Sequence, residues 1–206
     1  FYKKALIIAK EKEMGRFEAT ILGNIGNIYY YKSYDYKHEK WDTAGLDTAL
    51  WYFSEAVKLH IEKNDTVQMI APMMNIALVQ IELGKTKEAL DTLMKLKTIC
   101  EKRNDISDLV YINSNIAQAC LVSENFREAL IYFDKAIELA GSINDRNTVM
   151  GIYAIVSQAY EQRKNYQPAY EYYVKYSEMK DSLLNEENTR SVSEMQAKYE
   201  TEKKEK

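Results

Sequence analysis

The sequence predicts an all-α protein of stacked antiparallel helix pairs: about four pairs, a half repeat at the N-terminus and a C-terminal helix. Two observations lead to this prediction. Residues of the same kind recur every 40 positions, and only 7 glycines and 2 prolines occur among 206 residues. A fixed period of this length is typical of stacked repeats, in which each unit leaves an apolar face that the next unit covers. The scarcity of turn-forming residues argues against a β-rich fold.

Four columns of residues define the repeat. They are Ala77, Ala117 and Ser157; Ala89, Ala129 and Ala169; Asn64, Asn104 and Asn144; and Leu93, Phe133 and Tyr173. Within each unit, apolar residues follow the 3.6-residue period of two helices. In the unit Asp105 to Gly141, we expect Asn104 and Asp105 to cap the first helix and Gly141 to end the second. Pro72 lies inside a predicted helix, where we expect a kink or a late helix start.

This arrangement resembles the tetratricopeptide repeat, a helix–turn–helix family, in a long variety with 40-residue units. The resemblance covers residues 1 to about 181 and rests on these positions: Leu22, Ile25, Gly26, Tyr29, Ala49, Phe53, Ala56, Ala77, Gly84, Ala89, Leu93, Ala117, Ala129, Phe133, Ala136, Ser157, Tyr160, Ala169 and Tyr173. It implies a right-handed superhelical solenoid that binds a protein or a peptide in a concave groove. The family is a general binding scaffold, so the resemblance does not identify the ligand.

One unit is longer than the others. Gly26 and Ala77 are equivalent positions but lie 51 residues apart, and the 11 extra residues fall between Gly26 and Ala49. Eleven residues make about three helical turns. We therefore expect both helices of this unit to extend by about a turn and a half into a helix hairpin at about 28–48, with Asp42 capping the second helix.

The tip of this hairpin is rich in aromatic residues, namely Tyr34, Tyr36, His38 and Trp41. An aromatic cluster that stands off a repeat array is a candidate contact for a partner, and its contact residues would be Tyr34, Tyr36 and Trp41. The alternative is that these rings fold back onto the neighbouring helix pair.

By the family resemblance, a partner would lie along the first helix of each pair. Residues three, four and seven positions apart share one helix face, which gives these candidate groove residues: Asn24, Asn27, Tyr30, Asn75, Leu78, Tyr111, Asn115, Gln118 and Gln158. Asn24, Asn75 and Asn115 form a column whose amides can bond to the backbone of an extended peptide, like the asparagine ladder that the resemblance implies. The alternative is that these amides bond locally within the helix pairs.

Several classes of function lack their characteristic residues. The net charge is −3 and no basic patch occurs, which argues against nucleic-acid binding. His38 and His60 have no other ligands at metal-binding spacing, and no phosphate-binding or nucleophile motif is present. We therefore expect no metal, no cofactor and no catalytic residue. Cys100 and Cys120 are expected to be buried free thiols, and no apolar run reaches the length of a membrane span.

The composition changes near Asn185. Residues 182–206 are highly charged and helix-prone, with a narrow apolar stripe made of Leu184, Val192, Met195 and Tyr199. Such a stripe fits either a cap over the last repeat or the start of a coiled coil, which would form a homodimer. We therefore treat residues 182–206 as a C-terminal helix distinct from the repeat array of residues 1–181.

The C-terminal stretch also resembles a junction in bacterial membrane-linked signalling proteins. The resemblance rests on Lys-Asp-Ser-Leu-Leu-Asn-Glu-Glu and Ala-Lys-Tyr-Glu-Thr-Glu-Lys-Lys-Glu, within residues 176–206. In those proteins the helix continues into a membrane span and then a histidine kinase or helix-turn-helix domain. The resemblance implies the sensor segment of a longer signal-transduction protein, on the periplasmic or the cytoplasmic side. A stand-alone scaffold or adaptor is the alternative.

Overall fold

Apolar residues at helical spacing bury one face of a helix, and the structure buries the two columns of small residues, Ala77, Ala117 and Ser157, and Ala89, Ala129 and Ala169, on such faces. The structure is a computed structural model that describes residues 2–35, 37–38 and 40–204. Its helices are α1 (Tyr2–Glu11), α2 (Gly15–Lys32), α3 (Thr43–Glu62), α4 (Ile70–Glu82), α5 (Thr86–Arg103), α6 (Ile106–Val122), α7 (Phe126–Ser142), α8 (Arg146–Gln162) and α9 (Tyr166–Lys204). A short hairpin of β1 (Tyr34–Asp35) and β2 (Lys40–Trp41) joins α2 to α3. The all-α prediction is confirmed.

The chain divides into two compact units, Phe1–Leu139 and Ala140–Lys206, with the boundary inside α7. In the first unit, each helix from α1 to α5 packs against the next one along the chain. The first helices of successive pairs also pack together, α2 against α4 and α4 against α6. In the second unit, α8 packs against α9. Contacts between first helices of adjacent pairs are those of a stacked helical repeat.

The helices are separated by turns that recur every 20 residues. Each turn contains one residue with a positive φ angle, at Asn64, Gly84, Asn104, Glu124, Asn144 and Lys164. Next to these residues, the Asp105 amide donates to the Cys100 carbonyl over 3.0 Å and the Asp145 amide to the Ala140 carbonyl over 2.8 Å. A left-handed residue with such a bond is the Schellman ending of a helix. Two of these 20-residue steps make the 40-residue repeat.

An Asn-Asp dipeptide ends the second helix of a pair and leads into the next pair, at positions 64–65, 104–105 and 144–145. The asparagine adopts the left-handed conformation, which its short polar side chain tolerates. The aspartate that follows accepts a backbone N–H: Asp105 Oδ1 from Asp108 at 3.4 Å, and Asp145 Oδ1 from Thr148 at 3.1 Å. The predicted cap by Asp105 is confirmed.

Two expectations about helix ends have different outcomes. The predicted end of a helix at Gly141 is wrong, because α7 continues to Ser142 and Asn144 takes the left-handed position with φ 56°. The 20-residue turn spacing places the left-handed residue at position 144. Asparagine, like glycine, can adopt this conformation. The expected late helix start near Pro72 is confirmed, since α4 begins only at Ile70 and places the proline in its first turn.

The 11-residue insertion is not helical, so the prediction of two extended helices at 28–48 is wrong. Helix α2 has 18 residues and α3 has 20, close to the 18 of α5. The extra residues form the hairpin, in which Tyr34 pairs with Trp41 and Asp35 with Lys40. The predicted cap at Asp42 is confirmed, because its carboxylate accepts the amides of Ala44 and Gly45.

Local side-chain bonds explain why the chain leaves the helix here. The Ser33 hydroxyl donates to the Tyr29 carbonyl over 2.6 Å and competes with the helical hydrogen bond. The Asp35 carboxylate then accepts the Lys37 and His38 amides at 3.0 and 3.3 Å, which is the turn geometry that aspartate favours. These bonds favour a turn at this point of the chain. A prediction from the helical spacing of apolar residues contains no information about them.

The charged tail is the continuation of the last repeat helix. Helix α9 runs without a break for 39 residues, from Tyr166 to Lys204. No glycine or proline follows Pro168 in this stretch, and Pro168 lies in the first turn, where it does not disturb the helix. The helix is therefore not interrupted at the predicted boundary between residues 181 and 182.

The centre of the first unit depends on a close approach of α2 and α3. Leu46, Ala49, Phe53 and Val79 form a fully buried cluster, against which Tyr29, Tyr30 and Trp41 pack. Gly26 faces the Phe53 ring so closely that a Cβ atom would lie 2.6 Å from its Cε1. The column of small residues thus begins with a glycine because the Phe53 ring occupies the space of a side chain.

Gly26→Ala should destabilise the protein by about 1–3 kcal/mol, because the added methyl group must displace the Phe53 ring. The matched control is Gly23→Ala in the same helix, where a Cβ meets no atom within 4 Å. This control should stabilise the protein by about 0.5–1 kcal/mol, since alanine favours the helix. Urea unfolding measures both free energies; equal effects of the two substitutions would contradict the packing described.

Candidate functional site

A groove with both polar and apolar walls lies between α2 and α4 in the first unit. Its volume is about 130 Å³, and it is lined by Ala19, Thr20, Gly23, Asn24, Asn27, His60, Gln68, Ala71, Pro72 and Asn75. Three of the candidate groove residues, Asn24, Asn27 and Asn75, therefore meet at one place. They do so because α2 and α4, the first helices of neighbouring pairs, pack directly against each other.

One hydrogen bond crosses this groove. Asn75 Nδ2 donates to Asn27 Oδ1 over 3.0 Å, and both residues are half-buried. Each amide has further donor or acceptor capacity that this bond does not use. The bond joins two helix pairs rather than two helices of one pair, so it fixes the walls of the groove and leaves polar groups for a ligand.

His60 on α3 is the most deeply buried polar residue of the groove. Its side chain is only 3% exposed, and Nδ1 has no hydrogen-bond partner within the described residues. Burial lowers the pKa of His60, while the Asp65 carboxylate opposes this shift. The imidazole is therefore neutral at neutral pH, with one nitrogen as donor and one as acceptor.

The polar surface continues along α2 towards the start of the chain. A second, shallower groove of about 390 Å³ is lined by Arg16, Phe17, Thr20, His60, Asp65 and Gln68. Arg16 Nε lies 3.4 Å from Asp65 Oδ2, and Asp65 Oδ1 accepts the Gln68 amide at 3.3 Å. The two grooves share Thr20, His60 and Gln68, so they form one continuous surface whose two formal charges neutralise each other.

The other predicted groove residues do not line this groove. Tyr30 turns towards the hairpin, where its ring lies 5.0 Å from that of Trp41, and burial raises the pKa of its hydroxyl far above the ordinary value. Leu78 is half-buried on α4. On α6, Tyr111 is exposed, Asn115 is buried and Gln118 is half-buried. Gln158 is exposed on α8, in the second unit.

His60 and Asn113 are buried polar residues with an unpartnered side-chain atom in the described part of the chain, and neither was predicted as a site residue. His60 lies 40 residues before Cys100 and 80 before Ala140, and both of these residues are fully buried. A histidine at a repeat position that is otherwise apolar is the sequence feature from which a buried polar residue could have been predicted. Asn113 on α6 is 1% exposed; Nδ2 donates to the Leu109 carbonyl over 2.6 Å, while Oδ1 has no partner in the described part of the chain. Asn113 lines a groove of about 460 Å³ formed by α5, α6 and α7.

One aromatic ring of the hairpin, that of Trp41, folds back onto the first unit, whereas His38 is exposed. Trp41 is half-buried, with its ring 4.9 Å from Tyr34, and it packs against the core cluster of the first unit. Tyr36 lies outside the described residues. At the turn, the hydrogen bond from His38 lowers the pKa of the exposed Asp35 carboxyl. A role of these rings in binding a partner stays a prediction.

Helix α9 exposes a long apolar stripe. Its exposed large side chains are Tyr166, Tyr170, Tyr173, Leu184, Val192, Met195 and Tyr199. With about 100° of rotation per residue, all of them fall within a sector of about 100°. Tyr173 is 57% exposed, although Phe53, Leu93 and Phe133 of the same column are buried. The stripe therefore starts on the last repeat and continues into the charged tail.

The base of this tail is fixed to α8 within the second unit. The Arg146 guanidinium contacts the carboxylate of Glu186 and donates to the Ser182 hydroxyl at 2.8 Å. The hydrogen bond from Arg146 lowers the pKa of Glu186. These contacts orient the first half of α9.

The described residues contain no cluster of His, Cys, Asp and Glu suited to a metal ion.

Burial raises the pKa of both free thiols, Cys100 and Cys120, to about 11, so neither is a reactive thiolate at neutral pH. Within the part of the chain that the structure describes, no helix combines the length and the apolar character that crossing a bilayer requires.

No protein-family description and no curated protein matches this chain by sequence. Solved structures match its fold. The apo form of RapI has a TM-score of 0.66 at 18% identity, over 89% of this chain and 61% of RapI, so the chain spans about three fifths of that protein. The TPR-like repeats of a Podosopora anserina kinesin light chain have a TM-score of 0.63 at 12% identity, over 89% of this chain and 85% of that one.

PlcR of Bacillus thuringiensis, solved in complex with the peptide PapR7 and DNA, has a TM-score of 0.57 at 17% identity, over 88% of this chain and 74% of PlcR. At such identities these matches establish the fold alone. The chain has the fold of a TPR-like helical repeat, as the sequence predicts.

The buried neutral His60 should make stability depend on pH. Its pKa is lower in the folded state than in the unfolded chain, where it is about 6.5, so acid favours unfolding. The His60 contribution to stability is complete above about pH 6.5 and is lost as the pH falls towards the folded-state pKa. Urea midpoints at about pH 7.5 and pH 5.5 should differ less in His60→Leu than in wild type, whereas the control Asn188→Leu, at an exposed residue that does not titrate, should keep the wild-type difference. An unchanged difference in His60→Leu would contradict the argument.

Proposed function

We propose that this segment binds a protein or an extended peptide along the groove between α2 and α4. The grouping of Asn24, Asn27 and Asn75 around one groove carries the proposal. Amides offer both donors and acceptors, so they can bond to a peptide backbone of any sequence. RapI and PlcR share the fold, and the PlcR structure contains a bound peptide, which supports a peptide ligand here.

The proposed surface extends from this groove along the first helices of the first unit. Helix α4 packs against α6, so the candidates Leu78, Tyr111, Asn115 and Gln118 belong to neighbouring first helices. Gln158 is kept as a candidate of the second unit. The groove carries almost no net charge, and its affinity for a peptide should therefore depend only weakly on salt. No catalytic residue is proposed for this segment.

We further propose that the segment is the sensor part of a bacterial signal-transduction protein, whose output domain is a histidine kinase or a helix-turn-helix regulator. The uninterrupted course of α9 from the last repeat into the charged tail supports this proposal, because one helix then joins the binding module to whatever follows it. The proposed location is the periplasmic side of a membrane-anchored parent, with the cytoplasm as the alternative. The second candidate function is a stand-alone scaffold or adaptor.

The peptide groove can be tested with a pool of random synthetic heptapeptides. Wild-type protein should retain a subset of the pool, and Asn24→Ala/Asn75→Ala should bind the retained peptides at least about tenfold more weakly, since several hydrogen bonds are lost. Asn188→Ala, at an exposed asparagine of α9, is the control and should bind like wild type. Fluorescence anisotropy measures the affinities. If the double variant bound the peptides as tightly as wild type, Asn24 and Asn75 would not be part of the binding site.

The apolar stripe of α9 should form a homodimer contact in the sensor proposal. Leu184→Glu/Met195→Glu places charges on the stripe and should abolish concentration-dependent dimerisation. Ser193→Glu/Ala197→Glu adds the same charges to the opposite face and should leave the dimer intact. Sedimentation equilibrium measures both; a wild-type protein that stays monomeric at all concentrations would favour the scaffold alternative.

A further inference from the structure

We infer that the groove between α2 and α4 recognises an uncharged amide side chain, that of an asparagine or a glutamine, in the peptide it binds. This inference rests on the proposed function and specifies which side chain fixes the peptide in place. It follows from the charge, the polar groups, the size and the walls of the groove.

The charge of the groove excludes ionised side chains. The residues that line it include no Lys, Arg, Asp or Glu. Beside it, the charges of Arg16 and Asp65 are already paired with each other. An acidic or basic side chain that entered the groove would lose its hydration without gaining an opposite charge, which is costly.

The polar groups of the groove require a partner with both donors and acceptors. Asn24 offers a complete amide, and the Asn27–Asn75 pair retains unused donors. His60 also lines the groove, but its Nδ1 atom is fully buried and is not open to a ligand there. A primary amide presents two N–H donors and one carbonyl acceptor, so it can bond to Asn24 and to the Asn27–Asn75 pair at once.

The size and the walls of the groove fit a side chain. A cavity needs about 10–15 Å³ of accessible volume to hold one water molecule, so about 130 Å³ is enough for a polar side chain. Ala19, Ala71 and Pro72 form an apolar part of the wall, which suits the methylene groups that carry an amide. The bond between Asn27 and Asn75 keeps the opening rigid before the peptide arrives.

Gly23 gives a direct way to fill the groove. It lines the groove, and a Cβ at this position meets no atom within 4 Å. Gly23→Leu therefore fills the space of the amide without disturbing the core. Gly151→Leu on α8 is the matched control, because its Cβ position is equally open and does not line the groove.

The experiment uses the whole chain and the heptapeptides that it retains from a random synthetic pool. Peptides retained by wild type and by Gly151→Leu should be enriched in Asn or Gln at one position. Replacing that residue by Asp or Glu, or by Leu, should weaken binding at least about tenfold. Asn24→Leu and Gly23→Leu should both lose the preference, and the second variant covers the case in which the first does not fold.

The outcomes separate this inference from the proposed function. Retained peptides that bind equally well with an amide, a carboxylate or an aliphatic side chain at every position would overturn the inference and leave peptide binding intact. A preference for acidic residues would overturn it in the same way. If wild type retains no heptapeptide, both the inference and peptide binding by this groove are overturned.

Discussion

The constraint on which the structure depends is the reversal of the chain every 20 residues. From Asn64 onwards, one residue at each reversal adopts a left-handed backbone conformation, and this residue is an asparagine, a glycine, a glutamate or a lysine. The amide that follows then closes the helix end, and after the second helix of a pair an aspartate such as Asp105 caps the next helix. The regular spacing of the turns keeps the small and apolar residues of successive pairs in register, and first helices such as α2 and α4 pack together.

Much of this architecture is predictable from the sequence, because apolar columns at a 40-residue step report both helix period and stacking. The prediction failed where local chemistry overrides the period. The 11 extra residues fit three helical turns in length, yet Ser33 and Asp35 bond to nearby backbone groups and produce a β-hairpin. The end of α7 was misplaced for a related reason: Asn144, two residues past the helix, adopts the left-handed conformation expected of Gly141.

The candidate site is only partly predictable for a physical reason. Asn24 and Asn27 lie on α2 and Asn75 on α4, and helical spacing together with the packing of these two helices brings them to one groove. Tyr30 lies on the same helix, but its ring turns to Trp41, whose position depends on the misjudged hairpin. His60 lies on α3, the second helix of its pair, and also lines the groove. A prediction that considers only the first helices cannot identify it. The polar character of the groove thus arises from three helices, although the prediction considered one from each pair.

The length of α9 has a mechanical consequence. Its 39 residues form a rod of about 58 Å at about 1.5 Å per residue. A rotation of about 5° at its root displaces its far end by about 5 Å, which is close to the rise of one helical turn. Arg146 on α8 contacts α9 near its middle, through Ser182 and Glu186. Any small reorientation of α8 is therefore magnified along the outer half of the rod, where Met195 and Tyr199 are exposed.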